Sequence, residues 1–369
     1  MYDPSLSRAQ VVSPFHLRTQ PMRGLVLFNF ERDPDRVYKG LEPQAFDDVE
    51  HGTGWLVIGW RVDGRVDVFH DSGLRLDPST YGIAGGGLHR MEERDLSGGR
   101  FELGPTGAQV DLSFADLEDR PVRLVVRETD TRPRRPFGLL APMGSAATDP
   151  PALPLVFVKD FYFVRRAGSE VRIEIDGRSH RSDSLPLLLD NTWMRFVRYS
   201  ATPFISLWNH RGHDTADVLS PSTATTEAGG ARYELDANGP FHEIRRMTRH
   251  ENGQQVTVEF TPAIPHLLAL RDGTTVDGWF QVSTQPPAGL VTGTWHVVRR
   301  GQRIAIDVAP SGGWTPGEAQ PMARLLFRAI GMFRTWPRTY RWTGAIETSA
   351  RGEETGDSPA LRSRWERIR

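Results

Sequence analysis

Short runs of alternating apolar and polar residues, broken by Asp-Gly, Asn-Gly or Gly-rich turns, recur along most of the chain. This rhythm predicts antiparallel strands joined by tight turns. In the first clear hairpin, Trp55 to Phe69, Leu56, Ile58, Trp60 and Val62 share one face, Asp63-Gly64 turns, and Val66 and Val68 return. Gln109 to Phe114 and Val122 to Arg127 form the next pair. Arg132 to Pro154 is proline-rich and shows no strand pattern, so it reads as either a lid or a crossover connection. Strands resume at Leu155 to Arg165 and Glu170 to Asp176, and Leu185 to Asn191 reads as a bridging segment.

A second set of strands begins at Trp193. It runs through Phe204 to Trp208, Ala231 to Leu235, Phe241 to His250, Gln255 to Phe260, Val276 to Thr284, Gly289 to Arg299 and Arg303 to Val308. Asn238-Gly239, Asn252-Gly253, Asp272-Gly273 and Arg300-Gly301 punctuate it. The period changes once. Met322, Leu325, Leu326, Ala329, Ile330 and Phe333 fall at helical spacing, which predicts one amphipathic helix over 318–334. Thr315-Pro316-Gly317-Glu318 reads as its capping box. Trp336-Pro337 ends it, Tyr340 to Thr348 returns to strand alternation, and the charged tail 350–369 is expected to fray unless Trp365 docks. The expected fold is therefore all-β in two halves, 1–190 and 191–349, with one C-terminal helix. A short echo between Gly87-Leu88-His89-Arg90-Met91 and Pro240-Phe241-His242-Glu243-Ile244 suits two similar halves.

Composition narrows the function. The 369 residues carry a net charge of -1, which gives no electrostatic footprint for nucleic acid or an anionic membrane. Cysteine is absent, so disulfides, thiolate nucleophiles and cysteine metal sites are excluded. Lys39 and Lys159 are the only lysines among 45 basic side chains, which reads as GC-rich coding and disfavours Schiff-base chemistry. Met1-Tyr2-Asp3-Pro4-Ser5 lacks the basic-then-apolar pattern of a leader, and no apolar run is long enough to span a bilayer. A cytoplasmic, bacterial protein without a membrane span is the expectation.

The closing sequence Gly293-Thr294-Trp295, Trp314, the helix Met322 to Phe333 and the strand Tyr340 to Ile346 resemble the tandem lipocalin-like proteins, a group that includes the carotenoid hydratases and the Diels-Alderase-type cyclases. The resemblance implies two lipocalin-like antiparallel barrels or sandwiches that hold an apolar small molecule. It also implies cofactor-independent isomerase, hydratase or cyclase chemistry by proton transfer. No catalytic signature of that group is present.

Four places carry candidate chemistry. His89 and Glu92 follow the Gly-rich stretch Gly82 to Gly87, near Tyr81, and form a pair suited to acid–base work; the alternative is a polar edge strand. The junction Asp190-Asn191-Thr192-Trp193-Met194-Arg195, with Tyr199, suits a pocket: Asp190 and Arg195 orient a polar head, Trp193 packs an apolar tail and Tyr199 gives or takes a proton. There the alternative is an Asp190–Arg195 pair that merely fixes the junction. Trp208 leads into Asn209-His210-Arg211-Gly212-His213-Asp214, whose imidazoles have a loop's spacing rather than a zinc helix's, so no required metal and no cofactor are expected. Trp208 joins the ligand-binding candidates. The rival reading of the whole chain is a non-catalytic β-sandwich module for carbohydrate or protein.

Overall fold

The computed structural model describes residues 1–6, 10–132, 134–142, 150–189, 191–210, 213–219, 224–317, 321–329, 331–348 and 358–368. They form an all-β protein with short helical segments. The largest sheet is built from strands distant in sequence. Its main path runs Leu17–Pro21, Phe204–Trp208, Leu153–Arg165, Thr192–Ser200, Gly24–Asn29, Tyr38–Asp48, Gly52–Arg61, Val66–His70 and Leu88–Glu93. All neighbours are antiparallel except the last two, which run parallel across a connection of some length.

A five-stranded sheet, from Ser97–Gly104 to Arg178–Ser179, covers one face of this large sheet. Val110, Leu112, Leu124, Val126 and Ile173 of the smaller sheet meet Val26, Phe28, Leu41, Val57 and Val197 of the larger in one core. This is a sandwich, and it explains why Val57 and Phe69 are buried as deeply as Leu56 and Val66: both faces of the hairpin are covered. The opposite face carries Phe46, Leu56, Ile58, Val66 and Val68 beneath Leu74, Tyr81 and Ala84.

The chain passes to the second large sheet between Trp208 and Thr225. That sheet is a nine-stranded antiparallel meander, Thr225–Ala228 to Leu361–Arg367, with strands in sequence order, curled as a half-barrel. Its inner positions alternate as the sequence predicts: Val256, Val258 and Phe260, then Phe280 and Val282, then Val291, Trp295 and Val297. Gly278 is required opposite Trp295, because a Cβ there would lie 2.4 Å from the indole. Phe15, Leu17 and Trp208 fill the inner side of the meander, so one core joins the two large sheets.

Three expectations change. Arg132 to Pro154, which shows no strand pattern, does contain a strand: Phe137–Pro142 pairs with the strand Leu153–Arg165, while 133 and 143–149 lie outside the described residues. Leu185 to Asn191 contributes a strand, Ser184–Leu189, paired with Thr192–Ser200. The single helix is two short ones, Pro321–Ala329 and Gly331–Thr335. Thr315 and Pro316 cannot cap it, because the strand Arg303–Pro316 continues through them, with Leu290 opposite Thr315 and Gly289 opposite Pro316. Leu325, expected on the core face, is 55% exposed; among the described side chains of the helix, Phe327 is the buried one. The side chains of Met322 and Leu326, and Ile330, lie outside the described residues. In the tail the alternative holds and Trp365 docks: Leu361–Arg367 pairs with Tyr340–Glu347 and buries Trp365, while 349–357 lie outside the described residues. No described helix is long and apolar enough to cross a membrane.

Candidate functional site

The structure scatters the residues singled out from the sequence. Tyr199 lies inside the sandwich core, stacked on Tyr162 at 5.2 Å, and its hydroxyl donates to the Gly104 carbonyl at 3.2 Å. Burial, with Glu128 nearby, pushes its phenol well above the usual range. Trp208 is fully buried in the other core, against Phe15, Phe280 and Trp365. Trp193 is 52% exposed and sits directly across from Leu188. Arg195 is half-buried, its Nε donates to Ser169 Oγ at 3.4 Å, and burial followed by the nearby Arg166 pulls its guanidinium down. Asp190 lies outside the described residues.

His210 and His213 do not converge on a metal. Among the described residues no three His, Asp or Glu side chains are placed to hold one. His213 instead stacks on His16, 4.3 Å away and 22° from parallel. Burial and this neighbour push His16 down to about 4, so the pair packs as neutral rings.

His89 and Glu92 also separate. Glu92 meets Arg94 at 2.8 Å and Arg90 at 3.4 Å. His89 meets Asp67 at 2.6 Å, across parallel strands. The preceding glycines are structural: Gly85, at φ +55°, lies so close to the turn at Gly64 that a Cβ would sit 2.4 Å from the Gly64 carbonyl oxygen.

The same region buries Glu42, which is 4% exposed and accepts from Gln44 Nε2 at 2.8 Å and Trp60 Nε1 at 2.9 Å. Burial raises its carboxyl to about 7 against those two bonds and the nearby Arg198 cation, from 4.5 for the free group. The folded state therefore holds the proton more tightly than the unfolded chain does. This contribution is fully present below about pH 4.5 and is lost as pH rises to about 7. Glu42→Gln keeps the shape, and Gln44 can turn its amide oxygen toward the new amide. The variant is expected to be more stable than wild type above pH 7, by on the order of 3 kcal/mol. It is also expected to lose the decline between the two pH values. Urea midpoints at pH 4.5 and pH 8 check this; equal wild-type and variant slopes would refute it.

The cleft that best suits a ligand lies elsewhere, where the two large sheets meet. Leu140 N donates to the Ala288 carbonyl at 2.8 Å there, linking strand Phe137–Pro142 to the meander. Helix Pro321–Ala329 lies beside strand Ser184–Leu189. Between the helical pair and the end of strand Arg303–Pro316 is an open cleft of about 390 Å³. Trp314 is its aromatic centre: Phe333 stacks on it at 4.7 Å, Phe327 meets it edge-on at 5.4 Å, and the two phenylalanines are 5.1 Å apart. Arg324, Arg328 and Arg334 also line the cleft and are exposed, and none forms an ion pair among the described residues. Trp314 Nε1 is buried without a hydrogen-bond partner among those residues.

Sequence reasoning missed this set. Arg324 and Arg328, four apart on a short helix, were the available signal. No protein-family model, curated protein or solved structure matches the chain. The resemblance to the tandem lipocalin-like proteins thus rests on the sequence alone.

Proposed function

We propose that the protein binds an amphipathic anion in this junction cleft. The ligand would be a molecule with an apolar aromatic or acyl body and a carboxylate or phosphate head. The observation that carries the reading is an aromatic trio, Trp314, Phe327 and Phe333, beside three arginines that have no acidic partner among the described residues. The rings offer apolar area and flat faces. The guanidinium groups offer planar forks that match a carboxylate or phosphate. None of the described lining residues is a carboxylate, imidazole or phenol. Binding is therefore a better reading of this cleft than proton-transfer catalysis. A carbohydrate platform is less well supported: the exposed tryptophans Trp193 and Trp279 lie on different sheets, and no stacked aromatic pair among the described residues includes either.

Dodecanoate, dodecyl phosphate and dodecanol, titrated against tryptophan fluorescence, test the proposal. The two anions are expected to bind more tightly than the alcohol. Arg324→Glu with Arg328→Glu is expected to weaken the anions at least roughly tenfold, since a charged hydrogen bond contributes about 1.5–3 kcal/mol. The alcohol should be affected far less. Equal binding of acid and alcohol, or anion affinity unchanged in the folded double variant, would overturn the reading.

A further inference from the structure

Asp67 is an acid between Val66 and Val68 in the strand Val66–His70, and it is fully buried. Three donors converge on its carboxylate. Tyr38 Oη donates at 3.0 Å and Arg61 Nη1 at 2.8 Å, both to Oδ2, and His89 Nδ1 approaches Oδ1 at 2.6 Å. With the Arg61 cation on one oxygen, the other accepts, so the proton between Asp67 and His89 belongs to the imidazole Nδ1. Burial and the adjacent Asp67 hold the Tyr38 phenol far above its usual range, so Tyr38 serves only as a donor.

The backbone brings His89 to this carboxylate by an irregularity. Val66 pairs with Leu88 but Asp67 pairs with Arg90, which leaves His89 as the extra residue of a bulge. Strand Leu88–Glu93 is the edge of its sheet. The imidazole side chain remains 30% exposed while its partner is completely enclosed. One ring nitrogen is therefore fixed by a buried acid. No described group hydrogen-bonds the other, Nε2, whose lone pair faces outward as an acceptor.

That arrangement is the base half of an acid–histidine catalytic unit. The chain has no cysteine, and no described serine, threonine or tyrosine hydroxyl bonds His89 Nε2. Water is the nucleophile left for it to activate. We propose that Asp67 and His89 form a hydrolytic general-base site, separate from the cleft, that acts on small solvent-borne carboxylic esters. In this step a water oxygen bonds to the acyl carbon as His89 Nε2 takes one of its protons. The ester C–O bond then breaks, and the alcohol oxygen leaves with the bonding pair and is protonated by the imidazolium. The products are the carboxylic acid and the alcohol, and no redox partner is required. His89 is the catalytic residue and Asp67 the positioning residue.

The test is hydrolysis of p-nitrophenyl acetate by the full chain. The protein is expected to exceed an equal concentration of free imidazole. His89→Gln, a change at an exposed side chain, is expected to keep the melting temperature and lose roughly 100-fold of the protein-dependent rate. Long-range proton–nitrogen correlation should show the His89 proton on Nδ1, and Asp67→Asn should move that tautomer and lower the rate. If Asp67→Asn does not fold, the wild-type tautomer carries the positioning claim by itself. A rate no greater than free imidazole, a folded His89→Gln with wild-type rate, or a wild-type proton on Nε2 would overturn the assignment. None of these outcomes bears on anion binding at the cleft, because the two sites share no residue.

Discussion

Replacing Arg134 by methionine is expected to destabilise the protein by about 3–5 kcal/mol, through the charge it leaves behind rather than the contact it removes. Arg134 and Glu128 are 2% and 1% exposed, and Nη2 donates to Oε1 at 2.6 Å. Most of the network around them is satisfied, although Arg134 Nε has no hydrogen-bond partner among the described residues. Arg134 Nη1 donates to the Phe163 carbonyl at 3.0 Å. Glu128 accepts from the backbone N–H of Ala108 at 3.0 Å and of Arg165 at 3.1 Å. Without Arg134, a carboxylate sits in the sandwich core with two backbone donors and no counter-charge. Adding Glu128→Gln should restore a large part of the loss, because the uncompensated charge is then gone. A surface pair sets the contrast: Arg100 and Glu102 are 51% and 64% exposed, and Arg100→Met is expected to leave the urea midpoint essentially unchanged. Urea unfolding of the four chains checks this. A double variant worse than Arg134→Met would show that the charge is not the cause.

Much of the all-β architecture is readable from the chain because its signals are local. Asp63-Gly64, Asn252-Gly253 and Asp272-Gly273 turn the chain where Gly64, Gly253 and Gly273 take φ of +89°, +71° and +75°, a region glycine enters without strain. The meander follows, since each of its strands pairs with the next in sequence. The large sheet does not follow. Leu25 pairs with Ser200 and Leu17 with Trp208, across most of the first half of the chain, and no periodicity encodes a partner that far away. The same limit hid the dyad. His89 read as the partner of Glu92, three residues on, whereas its acid lies on a neighbouring parallel strand. A lone Asp67 between Val66 and Val68 was the available sign, since an acid buried among apolar strand residues requires donors. The helix failed for a further reason: Thr315-Pro316 has the chemistry of a cap, but the ladder with Gly289 and Leu290 had already claimed that backbone.

Trp208→Ala is the second change expected to have a large effect, and it separates two roles for an aromatic residue. Alternation marks Trp208 as inward-facing without saying whether a ligand or other side chains meet it. In the structure side chains meet it. Phe280 lies edge-on at 4.9 Å, Phe15 at 6.0 Å and Trp365 at 6.2 Å, and Trp365 Nε1 donates to the Trp208 carbonyl at 3.1 Å. Trp208 belongs to the large sheet while Phe280 and Trp365 belong to the meander, so the ring joins the two. Truncation to alanine removes the transfer free energy of a full indole and leaves a cavity that rigid strands on both sides cannot close. The expected cost is about 3–5 kcal/mol. Trp208→Phe is expected to cost about 1–2 kcal/mol, because the indole Nε1 has no hydrogen-bond partner among the described residues and only volume is lost. Urea midpoints give both values, and dodecanoate titration of the phenylalanine variant completes the test. If Trp208 is core, that variant binds dodecanoate as wild type does. An alanine variant of wild-type stability that no longer binds would return Trp208 to the ligand site.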